Sequence, residues 1–131
     1  MHLARTNAIL PFFPASDLRG AEGRFATVDQ TDGLLYISGL TERLAGVITF
    51  GGNVGEPCSV AMSAGGLAGT VKVKLAAPVT AVGQYLQLNE DGSVSPDSGS
   101  GTRILVAQAV ETGVADELIE AILFRPYTLS N

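Results

Sequence analysis

A serine or cysteine nucleophile needs a base in fixed geometry, and this chain offers one histidine, His2, next to its first residue. A base so close to a terminus is expected to be mobile, so a Ser-His-Asp arrangement is not expected. Carboxylates cluster as Glu90-Asp91, Asp116-Glu117 and Glu120. For general acid–base work one member must be buried or set against a like charge so that its pKa moves. The first set belongs to an Asn-Glu-Asp-Gly turn and the second precedes an apolar run, so both read as solvated loop residues. The stretches GGNVGEP at 51–57 and SAGGLAGT at 63–70 have the glycine content of phosphate loops. Neither ends in Gly-Lys-Ser/Thr or leads into a helical pattern, which a phosphate held by helix N-terminal amides requires. Those glycines are assigned to hairpin turns and close strand approaches. Cys58 is the single cysteine; it reads as a small buried hydrophobe within CSVAM, with no disulfide or thiolate cluster to join. The run 89–91 is too short to supply calcium with its oxygen ligands. No catalytic residue, cofactor or metal is assigned.

The elements around these residues read as short strands. Candidates are 24–28, 34–38, 45–50, 58–63, 70–75, 85–88, 104–110 and 118–124, punctuated by Asp32-Gly33, Gly51-Gly52-Asn53, Gly65-Gly66 and Asp91-Gly92. In 85–95, Leu86 and Leu88 alternate with Gln87, and the turn residues that follow lead into a second short run at 93–95, a hairpin. Residues 104–110 are apolar enough for a strand buried on both faces. Val71, Val73 and Leu75 alternate with Lys72 and Lys74, giving one wet face. Helix competes at 115–123, where Asp116 could cap ADELIEAIL, but a strand after a tight turn fits the rest of the pattern better. The fold class is all-β, a small barrel or β-tulip-like domain.

With 131 residues, 46% of them hydrophobic and 16% charged, the chain suits one globular domain with its own core. The net charge of −5 argues against nucleic acid, since phosphate backbones need clustered Lys and Arg. No apolar run approaches the roughly 20 residues of a membrane-spanning helix, and the N-terminus lacks a signal-peptide pattern. The product is therefore expected to stay in the compartment where it is made.

Residues 1–22 read as an extended arm preceding a domain at 23–131. The arm holds Leu3, Ile9, Leu10, Phe12, Phe13 and Leu18, broken by Pro11 and Pro14, with no regular helical or period-2 pattern. Burying a large apolar side chain is worth about 1.5 to 3 kcal/mol, so adjacent phenylalanines must dock, on their own domain or on a neighbouring subunit. Contact with another polypeptide is the expectation, and these six residues are its candidates. A faint internal echo is also visible. Arg43 opens RLAGVI, followed by Gly52, Glu56 and CSVAM; Arg103 opens RILVAQ, followed by Gly113, Glu117 and LIEAIL. Two related hairpins on opposite sides of a barrel would leave such a trace, as would chance likeness between glycine-turn hairpins.

The order AGVITFGG, a glycine-rich segment, VGQYLQLNEDGSVSP, a Ser/Gly loop and RILVAQAVETG before a final IEAIL strand resembles the capsid cement, or head decoration, proteins of tailed bacteriophages. The likeness covers residues 23–125. It rests on the hairpin from Gly83 through Asp91-Gly92 to Val94 and on the strand from Ile104 to Glu111, with Ala107 where that family often has glycine. The resemblance implies a β-tulip or barrel-like virion protein, made in the host cytoplasm, that binds the major capsid protein on the outer capsid surface and stabilises the shell. It further implies copies that associate as a homotrimer on the capsid, and no enzymatic activity, nucleic-acid or membrane partner. A non-catalytic head-fibre or tail adaptor is the alternative; an enzyme or ligand-binding barrel would require a concave site with convergent polar groups.

Overall fold

The computed structural model describes residues 9–63 and 69–131, which places Leu3 and His2 of the arm outside the described residues. Ten strands and no helix are found there: β1 (Ile9–Phe12), β2 (Phe25–Val28), β3 (Leu35–Ile37), β4 (Gly46–Phe50), β5 (Cys58–Met62), β6 (Val71–Lys74), β7 (Tyr85–Leu88), β8 (Val94–Pro96), β9 (Thr102–Ala109) and β10 (Leu118–Ser130). The all-β expectation holds, and each run read as a strand lies on one. Residues 115–123 are not helical: Asp116 turns the chain at φ 71°, Glu117 N–H donates to the Val114 carbonyl at 3.2 Å, and β10 then runs to Ser130.

The strands form two antiparallel sheets, ordered β1-β5-β4-β2-β3 and β6-β10-β9-β7-β8. Numbered within each sheet, the two orders are the same. Each sheet curls until its edge strands meet through one parallel bridge, Pro14 with Leu35 in the first and Leu75 with Val94 in the second. Ala15 N–H donates to the Leu35 carbonyl at 3.0 Å, and Ala76 N–H to the Val94 carbonyl at 2.8 Å. A curled sheet whose edges touch at one bridge is a small barrel-like unit. The expected barrel is therefore present as two like units in tandem, β1–β5 and β6–β10.

The registers match residue for residue. Leu10 pairs with Val60 and Val71 with Ala121; Val47 pairs with Ala61 and Gln108 with Ile122. In both comparisons each partner reappears 61 places later. Loops repeat as well. Leu18 N–H donates to the Gly52 carbonyl and Val79 N–H to the Gly113 carbonyl, both at 2.9 Å. Glu56 accepts from Asn53 N–H, and Glu117 from Val114 N–H. Asp32 accepts from Leu34 N–H just as Asp91 accepts from Ser93 N–H. The echo joining Arg43–Met62 to Arg103–Leu123 thus falls on the fourth and fifth strands of both units. Gly46 of the first unit corresponds to Ala107 of the second, and a Cβ at Gly46 would collide with the Ala61 carbonyl.

Strand alternation then sorts the side chains. Ala26, Leu35, Ile48, Cys58 and Val60 fill the first unit together with Leu18. Val73, Leu75, Leu86, Val94, Ala109 and Ile119 are among those filling the second. The opposite face of the first sheet carries the cross-strand row Phe25–Val47–Ala61, completely buried and continuous with the second unit's core. Phe25 N–H donates to the Gly92 carbonyl at 2.7 Å and Lys74 N–H to the Gly23 carbonyl at 2.8 Å. The outer face of the first unit therefore sits across the β6–β8 side of the second.

Candidate functional site

Among the described residues, no group of three or more His, Cys, Asp or Glu side chains is placed to hold a metal ion. The displaced carboxylates all move in the direction opposite to a general acid. Hydrogen bonds from Arg19 hold exposed Asp17 down to about 2. The Tyr36 hydroxyl lowers Asp32, the Ser93 hydroxyl lowers Asp91, and the Arg103 guanidinium lowers Asp97. Hydrogen-bonded carboxylates kept ionised serve turns, not proton transfer. Glu90 and Glu117 likewise lie in turns, and Gly52 N–H donates to the buried Cys58 Sγ at 3.1 Å.

The one charged side chain buried among the described residues is Arg103, 8% exposed. Its Nε donates to Asp97, and its Nη1 donates to the Gly101 carbonyl at 2.8 Å and to Asn131 Oδ1 at 2.6 Å. Gly101 N–H donates to the Asn131 carbonyl. This network ties the end of β10 to the loop before β9. Beside it runs a cleft of about 510 Å³ walled by Gln87, Leu88 and Glu90 on the second unit and Leu40 to Glu42 on the first. Several of its polar groups are engaged within the protein: Gln87 accepts from Ser98 N–H, Asn89 donates to Ser95, and Glu42 of the first unit accepts from Thr128 of the second. With Glu42 and Thr128 bonded across it, the cleft works as a seam between the units.

The residues expected to reach a partner divide by parity. In β1, Leu10 and Phe12 turn inward and are part buried, while Ile9 is 41% exposed; Phe13, just beyond, is 53% exposed. Leu18 is buried in the first unit's core. Residues 9–12 pair with β5 of their own sheet from Ile9↔Ala61 to Phe12↔Cys58, so the described part of the stretch expected as an arm is built into the first unit. Both sides of β1 are apolar, which hides a period of two, and Pro11 is accommodated because β1 is an edge strand. Among the five candidates that lie in the described residues, Ile9 and Phe13 are the ones open to another molecule.

A larger apolar surface, which the sequence reading did not single out, lies on the outer face of the second unit. Tyr85, Gln108 and Ile122 form a cross-strand row. Phe124 packs on Tyr85 edge-to-face with centroids 6.1 Å apart and on Tyr127 at 5.7 Å. Tyr85, Ile122 and Tyr127 are 47%, 44% and 41% exposed. A contiguous aromatic and apolar surface of this kind, whose neighbouring carboxylates Asp97 and Glu120 are engaged by Arg103 and by Lys72 and Thr70, marks a contact site. The available signal was the outward parity of Tyr85 against the inward Leu86 and Leu88; the Phe124–Tyr127 bulge, where the β9 register shifts between Leu123 and Tyr127, had none.

No protein-family model and no curated protein matches the chain. Among solved structures, it is similar to the head fiber gp8.5 N base of bacteriophage phi29. The two share 19% sequence identity at a TM-score of 0.61, over 94% of this chain and 98% of that one. At that identity the likeness is one of fold, and it extends through both units.

Proposed function

We propose that this protein is a structural component of a phage virion, attached to the outside of the head through the major capsid protein. The observation that carries the proposal is the fold shared with a phage head fiber base across nearly the full length of both chains. The surface supports it: contact area is apolar and aromatic, and the ionised carboxylates are engaged in turns. In the first reading, drawn from the motif order of residues 23–125, the protein is a capsid cement. It is made in the host cytoplasm and binds the assembled shell as a homotrimer, with Ile9 and Phe13 meeting the capsid or a neighbouring copy. The second reading, a head-fibre base, is favoured by the gp8.5 likeness.

Heads with and without the protein separate these readings. A ligand selective for the mature lattice raises that lattice's resistance to heat. Cement predicts that decorated heads release DNA at a higher temperature than bare ones. A fibre base predicts full occupancy with no change in release temperature. Failure of the purified protein to bind heads at all refutes both.

A further inference from the structure

We infer that copies of this chain associate head to tail, using between molecules the same contact that joins the two units within one. The internal contact has two sides. The first unit supplies the face Phe25–Val47–Ala61, and the second supplies the rim at Lys74 and Gly92. Because the units share topology and register, each side has a counterpart, and both counterparts are open. Phe25, Val47 and Ala61 correspond to Tyr85, Gln108 and Ile122, a row of the second unit in which Tyr85 and Ile122 are exposed and Gln108 is part buried. Lys74 and Gly92 correspond to Phe13 and Gly33. A Cβ on Gly92 would meet the Phe25 carbonyl oxygen at 2.7 Å, whereas at Gly33 nothing lies within 4 Å, and Phe13 is 53% exposed.

The neighbouring crevice repeats the relation. In the second unit, Gln87, Leu88, Glu90 and Arg103 face the Leu40–Glu42 segment across the seam. Their first-unit counterparts, Thr27, Val28, Gln30 and Arg43, line an open crevice of about 380 Å³.

Charge favours the same occupant. Within the chain, Arg24 beside the donor face meets Asp91 on the rim at 3.6 Å. The open rim carries Asp29 and Asp32, while the carboxylates on the open donor face, Asp97 opposite Tyr85 and Glu120 two places before Ile122, are already paired with Arg103 and Lys72. Two chains of net charge −5 thus meet with the donor-face carboxylates already held by cationic partners. The exposed parts of Tyr85 and Tyr127 come to roughly 100 Å² each. With Ile122 and Phe124 they supply the apolar centre of an interface needing about 800 Å² per partner, and the crevice and rim supply its border. Such a contact is heterologous, so it propagates or closes into a ring.

This inference does not depend on the virion role. Sedimentation of the full chain from about 1 to 200 µM should show concentration-dependent association. Ile122→Glu, on the donor face, and Gly33→Asn, which fills the rim with a residue tolerant of positive φ, should each weaken association at least tenfold. Mixing the two variants should restore one good contact per pair and give a 1:1 heterodimer, which a symmetric contact would not. Phe50→Glu, 62% exposed on the first sheet and not among the residues named for either surface, should associate as wild type. Circular dichroism checks folding, and Tyr85→Lys replaces Ile122→Glu if that variant misfolds. A wild type that stays monomeric to 200 µM overturns the inference. So does a donor-face variant that associates normally, or a variant mixture that stays monomeric. Head binding, measured separately, bears on the virion role alone.

Discussion

Gly92 and Gly33 hold the same position in two copies of one hairpin, and replacing each by alanine measures the contact between the units. Both have positive φ, 85° and 72°. The left-handed conformation costs an alanine about 1 to 2 kcal/mol at either site, and the restriction of the unfolded chain by alanine is common to both and cancels. The difference lies in the surroundings. At Gly92 the new methyl would stand 2.7 Å from the Phe25 carbonyl oxygen and 3.1 Å from its nitrogen; at Gly33 it meets open space. Relief of the clash requires moving Phe25, which gives up the 2.7 Å bond from Phe25 N–H to the Gly92 carbonyl, worth about 0.5 to 1.5 kcal/mol. It also loosens a completely buried aromatic ring. Gly92→Ala should therefore cost about 3 to 5 kcal/mol and Gly33→Ala about 1 to 2 kcal/mol. In urea, with a slope near 1.5 kcal/mol per molar, the midpoints should fall by about 2 to 3 M and about 1 M. Equal losses in the two variants, to within about 0.5 kcal/mol, would refute the claim that Gly92 is where one unit bears on the other.

Arg103→Ala leaves Asp97 without its guanidinium and frees Asn131, and should cost about 2 to 4 kcal/mol in urea denaturation. Arg43→Ala, exposed at the corresponding place in the first unit, should cost less than about 0.5 kcal/mol. Asp17, Asp32, Asp91 and Asp97 all titrate below their ordinary values in the folded chain. The stability they contribute is therefore complete above the unfolded carboxyl value near about 4 and is lost as pH falls through the folded values. Thermal melts should weaken steadily below about pH 4, and Asp97→Asn should lower stability at pH 7 while making that decline shallower. Cys58, fully buried, should resist alkylation in the native chain and react as fast as a free thiol in about 6 M guanidinium; rapid native labelling would contradict its placement.

The fold was legible wherever one face of a strand is dry and a turn residue marks its end. Leu86 and Leu88 against Gln87, and Val71 and Val73 against Lys72, carried enough alternation to place their strands, and Asp91-Gly92 marked the hairpin. Period failed where both faces are apolar. In residues 9–14 the inward Leu10 and Phe12 and the outward Ile9, Pro11 and Phe13 are equally hydrophobic, so an edge strand reads as an irregular arm. The duplication was legible only as an echo, because the residues that repeat by type are those fixed by turns: Asp32-Gly33 with Asp91-Gly92, and Gly52 and Glu56 with Gly113 and Glu117. The outer-face row has diverged from Phe25, Val47 and Ala61 to Tyr85, Gln108 and Ile122, from completely buried to open, so sequence comparison of the halves weakens where their surroundings differ. The contact surface was hidden for a related reason, since an outward Tyr or Ile on a strand carries no local sign of whether a neighbouring unit covers it.

The buried row Phe25–Val47–Ala61 also sets the order of events during synthesis. Every strand of the first unit has been made by residue 62, but its cover begins at β6 and needs Gly92 before Phe25 finds its hydrogen-bond partner. At about 5 to 20 residues per second, those 30 residues take roughly 2 to 6 seconds on the ribosome. A first unit already folded would spend that interval displaying an apolar stripe to every other nascent chain nearby. Pausing between residues 62 and 92, or a stop codon there, should thus yield aggregates or chaperone-bound product, while a fragment beginning at β6 would emerge with its outer face as open as it is in the finished molecule.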